Sequence, residues 1–536
     1  MRYIPLFFFA ISLIRCANII PPEGGPRDTI PPSLIKATPT NNSTLFAGSQ
    51  ITLEFDEAIQ LRNAKEEIII TPATGKNTKF LFRKNLVTII PENKLDSATT
   101  YSIAFRESVR DLNEGNPAEG LKLAFSTGKI IDSLEIKGTA FTMLEGKPVE
   151  KFNVAIYSAD TFDITKHTPS YISATDKKGR FNISNLKPGK YYIYTWEDKN
   201  KNLKVETNNE RFGTSPEPVI LPDQKDSLRI PVIKVDSRPL KLNNYRNISN
   251  YSIIRYNKAP LSFELKSADS SKVIYYRGDS KNEIIAYPPK AFPDSLQIKI
   301  SANDSIGNKT DSTFYIKQTK AKPLEEEFKH QLNKATYTEP TKFLQAEFTF
   351  SLPLKNVNHD SISIKADSIH VANLLKEDLR YDNVNRRIIV EKRLTLPDSL
   401  SKKPLTIEFT KSTFISLFSD TLKAVREKIQ SRYEKDMGTL ILTSKSKKEG
   451  WIIEILDDKY ITQQSQPHNK QMVFKNLDAS NIQIRAIRDE NRNGSWDINN
   501  PLFRKPPEEI LFYRNETGNT QTPLRANWTV ELEWNF

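Results

Sequence analysis

A period of two constrains this chain most. Ile51, Leu53 and Phe55 are apolar with polar residues between them, and Tyr101, Ile103 and Phe105 repeat the pattern. Thr349-Phe350-Ser351-Leu352 and the run from Trp528 to Trp534 read the same way. Alternation sends every second side chain to one face of an extended strand, so one face is buried and the other wet. The runs are short and punctuated by Asn, Asp, Gly and Pro, as in antiparallel strands joined by tight turns. Many such runs in 536 residues predict an all-β fold of tandem β-sandwiches. Helical periodicity is rare. Pro323 to Ala335 sets Leu324, Phe328 and Leu332 on one helical face, and Lys423 to Lys435 is a weaker case. They predict one or two short connecting helices.

At about 150 residues per domain, the length implies three to five domains. Composition and turn signals place them at 33–128, 129–236, 237–319, 320–435 and 436–536. The net charge of +13 is spread as single lysines among acids, with no block of like charges. That is a solvated surface and not a nucleic-acid footprint.

Residues 1–15 begin with Met1-Arg2 and continue with the apolar run Tyr3 to Ile14. Such a run is too short to span a bilayer and has the length of a signal-peptide core, which predicts export and removal of this segment. Cys16 is the one cysteine, so it forms no disulfide within the chain. Leu13-Ile14-Arg15-Cys16 resembles a bacterial lipobox, with Arg15 where that motif carries a small residue. The resemblance implies a diacylglycerol on the Cys16 thiol, with the membrane as partner through that lipid. Residues 16–32 hold Pro21, Pro22, Pro26, Pro31, Pro32 and Gly24-Gly25. Extended at about 3.1 Å per residue, such a tether reaches roughly 50 Å.

An internal repeat joins two of the domains. Residues 185–220 align without a gap on 476–511, an offset of 291, with eleven identities in 36 positions. They are Asn185, Leu186, Ile193, Asp198, Asn200, Asn202, Asn208, Asn209, Phe212, Pro216 and Glu217. Average residue usage would give about two by chance. The second and fifth domains are therefore expected to share a fold.

The second copy carries a metal-like spacing. Asp489, Asn491, Asn493 and Asp497 take positions 1, 3, 5 and 9 of a calcium-loop order, with Gly494 at 6 and the Ser495 carbonyl at 7. Position 12 is Asn500 and not a bidentate glutamate, and Arg488 and Arg492 flank the loop. With two carboxylates, calcium would bind at about millimolar strength. Glu508 or Glu509 would add a carboxylate if the chain folds back. The same residues also suit an Asp/Asn turn held by its own side chains. In the first copy, Asp198, Asn200, Asn202 and Glu206 keep the order, but Leu203 replaces the glycine and Lys199, Lys201 and Lys204 crowd the loop. It is the weaker metal candidate. No cofactor is required.

Thr175-Asp176-Lys177-Lys178-Gly179-Arg180-Phe181 and Asn185-Leu186-Lys187-Pro188-Gly189-Lys190-Tyr191 resemble the carboxypeptidase-regulatory-like (transthyretin-like) β-sandwich. Ala37-Thr38-Pro39, Phe55-Asp56-Glu57-Ala58-Ile59, Asp111-Leu112-Asn113 and Phe125-Ser126-Thr127-Gly128 resemble the bacterial Ig-like domain of envelope and S-layer proteins. Taken whole, the chain resembles Ig-like-domain lipoproteins of Bacteroidetes. The start of that pattern is matched by Cys16-Ala17-Asn18, Gly24-Gly25-Pro26 and Asp28-Thr29, and the end by Asp489-Glu490-Asn491-Arg492-Asn493-Gly494 and Arg525-Ala526-Asn527-Trp528. Asp followed by Ser or Thr and a small or aliphatic residue recurs ten times between Asp28 and Asp420. It resembles the O-glycosylation motif of the same bacteria, and equally suits turns entering strands.

No nucleophile elbow, P-loop or dinucleotide fingerprint is present, and the five histidines are scattered. Trp196, Trp451, Trp528 and Trp534 lie in strand patterns and are assigned to cores; Trp496, in the Asp/Asn loop, is the candidate glycan contact. The expectation is a non-catalytic outer-membrane lipoprotein, a scaffold or binding module for an envelope protein or a glycan. Ala17 gives no inner-membrane retention signal, and the periplasmic face is preferred to the cell surface. The alternatives are an accessory subunit of a glycan-uptake or outer-membrane assembly complex, and a hydrolase with loop-borne residues.

Overall fold

The computed structural model describes residues 28–75, 77–118, 120–158, 160–169, 171–223, 227–248, 251–269, 272–288, 294–317, 327–446 and 449–536. The expected leader, Cys16 and most of the tether lie outside them. The chain divides into two compact units. One comprises Met1–Glu135 with Ser170–Ile172 and Ile183–Pro188; the other holds the rest.

In the first unit the alternating runs become two facing sheets. One runs in the order Leu34–Thr38, Ile51–Phe55, Leu86–Ile90, Lys79–Arg83; the other is Ile69–Thr71, Thr100–Ala104, Lys122–Ser126. Ile51 and Leu53 lie opposite Ile89 and Val87, and all four meet Tyr101, Ile103, Leu123 and Phe125 in one core. The Ig-like signature residues have structural work. The Asp56 carboxylate accepts the Ser33 N–H at 2.8 Å, and buried Asp111 accepts the N–H groups of Glu114, Gly115 and Asn116 at 2.6–2.8 Å. Burial pushes the Asp111 carboxyl up, but these three donors outweigh it and hold the group below its ordinary value.

The second unit is a succession of further sheets. The strands Leu242–Ile248 to Lys309–Lys317 form a four-stranded and a three-stranded sheet around one core. The turn Asp304 to Asn308 is pinned from inside. Buried Asp304 meets the Lys258 ammonium at 2.5 Å and accepts N–H groups from Ile306 and Asn308. Residues 330–432 supply an eight-stranded sheet with its own core. Its first strand, His330–Thr338, and its last, Val425–Arg432, run parallel side by side through Thr336–Thr338 and Gln430–Arg432.

Where the two connecting helices were expected lie the strands His330–Thr338 and Val425–Arg432; residues 323–326, with Leu324, lie outside the described residues. Phe328, His330 and Leu332 point inward, then a bulge between Leu332 and Lys334 moves the inward face to Ala335 and Tyr337. The extra residue breaks the two-residue period and imitates a helical one. At Lys423 to Lys435, helix-favouring residues are overridden by strand pairing on both sides, with Val425 and Ile429 facing the core. Among the described residues the α-helix Ala64–Glu67 spans four residues, and no helix is long and apolar enough to cross a membrane.

The repeat is real in structure. Eight strands recur in the same order, from Leu134–Thr142 to Leu228–Lys234 and from Met437–Thr443 to Thr529–Glu533. In each copy the first strand pairs in parallel with the last, and the fifth strand, Gly189–Trp196 or Ser480–Arg488, pairs with the second, sixth and seventh. Asn185 and Asn476 are matched because both turn the chain in the left-handed region, at φ 62 and 59.

Candidate functional site

The fifth strand of each copy runs directly into its Asp/Asn loop. In the second copy, both oxygens of buried Asp489 accept backbone N–H groups, from Asn493 at 3.0 Å and Gly494 at 2.9 Å. Asn491 accepts the Asn493 N–H, and Asn493 accepts the Ser495 N–H. The side-chain amides of Asn491 and Asn493 both donate to Asp497, at 2.6 and 2.9 Å. The first copy repeats this. Asp198 accepts from Asn202 and Leu203 at 3.1 Å, Asn202 accepts from Lys204 at 2.8 Å, and the Asn200 amide donates to Glu206. Leu203 takes φ 59 where Gly494 takes φ 76, so the first loop keeps the shape without the glycine. A leucine there costs roughly 1–2 kcal/mol, offset in part by its N–H bond to Asp198.

Each loop is closed from beneath by a glutamate. Glu210, fully buried, accepts the N–H groups of Lys199 at 2.9 Å and Glu206 at 2.8 Å. Glu508, also buried, accepts those of Glu490 at 2.8 Å and Asp497 at 2.9 Å. The loop does fold back onto Glu508, as its sequence allowed. Glu210 is the equivalent residue, and sequence reasoning missed it because it stands in no motif. Burial pushes its carboxyl above the ordinary value, and the charges of Asp198 and Glu206 add to that; its two N–H donors pull the other way.

The two glutamates correct the gapless alignment. Phe212 pairs with Trp196, whereas Ile510 pairs with Ile487; the offset is 487 − 196 = 291 before the loop and 510 − 212 = 298 after it. The second copy therefore holds seven extra residues between Asp497 and Glu508. The identities drawn from Asn208, Asn209, Phe212, Pro216 and Glu217 are not structural equivalences.

Among the described residues no three His, Cys, Asp or Glu side chains are placed to hold a metal ion together. The polar groups of the Asp489–Asp497 loop bond to one another and to Glu508, and a calcium ion would require the Asn491 and Asn493 amides to turn their oxygens inward. The histidines stay apart: His330 meets Glu427, His359 meets Tyr381 and His370 meets Asn373. Trp496 is half-buried, with its indole N–H donated to the Glu508 carbonyl at 2.9 Å. Trp196, Trp451 and Trp534 are core residues, but Trp528 is 57% exposed under the Arg525 guanidinium. A turn from Arg525 to Trp528 with Asn527 at φ 59 breaks the alternation that should have buried it. Of the ten hydroxyls that follow the repeated aspartates, nine are exposed and Ser361 is half-buried.

The two copies of the repeat touch. Arg485 and Arg514 donate to the carbonyls of Leu144 and Gly146, and Lys147 lies 4.9 Å from the Tyr460 ring. Arg504 donates to the Asp160 carbonyl at 3.0 Å. The second unit thus folds back on itself between the copies.

No curated protein sequence matches the chain. Solved structures similar to it include an S-layer protein, rSbsC(31-844), at 10% identity and TM-score 0.15, covering 92% of this chain and 68% of that one. BcpA, the major pilin subunit of Bacillus cereus, is 10% identical at TM-score 0.13, covering 75% and 99%. SGBP-B of the Bacteroides ovatus mixed-linkage glucan utilization locus, in complex with a mixed-linkage heptasaccharide, is 10% identical at TM-score 0.15, covering 73% and 91%. TM-scores this low say nothing of function. A family model does match part of the chain: residues 28–127 are similar to the bacterial Ig-like domain, and they open an all-β, multi-domain sandwich protein.

Proposed function

We propose that the chain is a non-catalytic envelope protein of the Bacteroidetes lipoprotein type, held at the outer membrane by a lipid on Cys16. It would present sandwich domains to an envelope protein or a glycan, on the periplasmic face. The observation that carries this reading is positional. A lone cysteine follows an apolar leader, and a proline-rich stretch then leads into a bacterial Ig-like domain and a series of β-sheet cores. Wild type and Cys16→Ala are to be expressed in a Bacteroidetes host, fractionated and exposed to protease in intact cells. Wild type is expected in the outer membrane, protected from protease, with the variant soluble. If both are soluble and Cys16 is unmodified by mass spectrometry, there is no anchor; cleavage in intact cells moves the protein to the surface.

Calcium belongs to the same proposal as a weak ligand of Asp489, Asn491, Asn493, the Ser495 carbonyl and Asp497. Millimolar calcium is expected to raise the melting temperature by a degree or two at about saturating ion, and Asp497→Ala to abolish the rise. No shift in wild type would leave the loop a hydrogen-bonded turn and nothing more.

A further inference from the structure

The seven residues added to the second loop reach beyond it. They carry the turn Pro501–Phe503 and Arg504, and Arg504 leaves its own domain for the first copy of the repeat. Its guanidinium lies 5.5 Å from the Phe162 ring and 4.5 Å from the Tyr192 ring. The Lys190 ammonium lies 5.5 Å from the same Tyr192 ring. An aromatic ring compensates a cation beside it only in part. Arg211 and Arg485 each close on a glutamate, Glu197 and Glu454. Arg504 has instead a backbone carbonyl, and among the described residues neither it nor Lys190 meets a carboxylate at salt-bridge distance.

Between them lies a cavity of about 280 Å³, walled by Lys190, Tyr192, Thr214, Ser215, Glu217 and Arg504. The charged donors are the two cations, and the Tyr192 phenol beside them can donate or accept. Two hydroxyls are already donors elsewhere: Thr214 to the Ile193 carbonyl at 2.9 Å, and Ser215 to the Glu217 carbonyl at 2.8 Å. The Ser215 hydrogen is spent, so Ser215 presents lone pairs beside the Glu217 carboxylate, whereas the Thr214 hydroxyl is buried and shared with the Tyr194 phenol. We infer that this cavity binds a small hydroxylated anion, a carboxylate or phosphate the size of one acidic sugar. The anionic group would meet Lys190 and Arg504 through charge-assisted hydrogen bonds, and the ligand hydroxyls would donate to Ser215 and Glu217. A bare oxyanion leaves those acceptors unmet, and a neutral sugar leaves the cations unmet. The volume lies at the low end for ligand cavities. The site exists because the insertion brings Arg504 to the other copy, and it holds whether or not the chain is lipid-anchored.

The full chain, purified in detergent, is to be titrated calorimetrically with glucuronate, glucose 6-phosphate and glucose. At least one acid is expected to bind and glucose to give no heat; which acid binds separates the carboxylate from the phosphate source. Lys190→Gln and Arg504→Gln are each expected to weaken binding by about tenfold or more. Arg504 also joins the two copies, so the exposed Lys190 keeps the test open if Arg504→Gln loosens them. Absence of binding by both acids, glucose binding as tightly as either, or unchanged affinity in both variants would overturn the inference.

Discussion

Asp304→Ala is expected to destabilise its domain by about 3–5 kcal/mol, the usual effect of removing one partner of a buried ion pair. The side chains of Asp304 and Lys258 are 3% and 9% exposed. The mutation would leave the Lys258 ammonium in a dry interior with the Asp236 carbonyl, 2.7 Å away, as its remaining partner. It would also strip the acceptor from the Ile306 and Asn308 N–H groups that shape the turn. Hydrogen exchange on the full chain is the measurement. Protection should fall in Ser295–Asn303 and Lys309–Lys317 and stay unchanged in Met437–Thr443, and exposed Asp311→Ala should do nothing comparable. Burial raises the Asp304 carboxyl, but the Lys258 ammonium and Asn308 outweigh it and hold the group below its ordinary value. Its contribution is therefore complete above the ordinary aspartate range and is lost as pH falls through the depressed value. Protection that survived Asp304→Ala would mean that Lys258 finds another partner.

Glu210→Ala is expected to cost about 2 kcal/mol, because two partly buried N–H groups, of Lys199 and Glu206, lose their acceptor at about 1 kcal/mol each, the low end for groups that water can reach. Glu508→Ala should act likewise on the other loop, where Glu490 and Asp497 lose theirs. Glu210→Gln keeps one acceptor and should fall between wild type and alanine. It should also remove a pH dependence. The folded carboxyl is raised above its ordinary 4.5, so between those values the native state holds a proton that the unfolded chain has released. That group's share of stability grows as pH falls toward 4.5 and shrinks as pH rises past the raised value. Thermal melts from pH 4.5 to 7 should show the slope flattened in Glu210→Gln. An unchanged slope would mean that Glu210 is ionised throughout.

What was legible in the sequence was local. Ile51, Leu53, Phe55, Tyr101, Ile103 and Phe105 announced buried strands by period alone, and all are 2% exposed or less. The same rule failed at Leu332, where one bulge residue shifted the inward face and produced a false helix. It failed again at Trp528, where a left-handed Asn527 reset the phase. The repeat was visible through its identities, but a gapless offset concealed the insertion that carries Arg504. Asp198 and Asp489 stood in a spacing that spells a loop. Glu210 and Lys258 did not: what they do depends on where a later strand returns, and no local pattern encodes that.

One shared feature bears on mechanics. In three sheets of the second unit the first strand lies parallel to the last: Gly138–Thr142 on Leu228–Val232, Thr336–Thr338 on Gln430–Arg432, and Thr439–Thr443 on Thr529–Glu533. Parallel neighbours send the incoming and outgoing chain to opposite ends of the pair. A pull along the chain then slides the two strands past each other, and every bond between them is strained at once instead of one after another. A body built this way, fixed at one end and loaded at the other, resists tension as a set of shear joints.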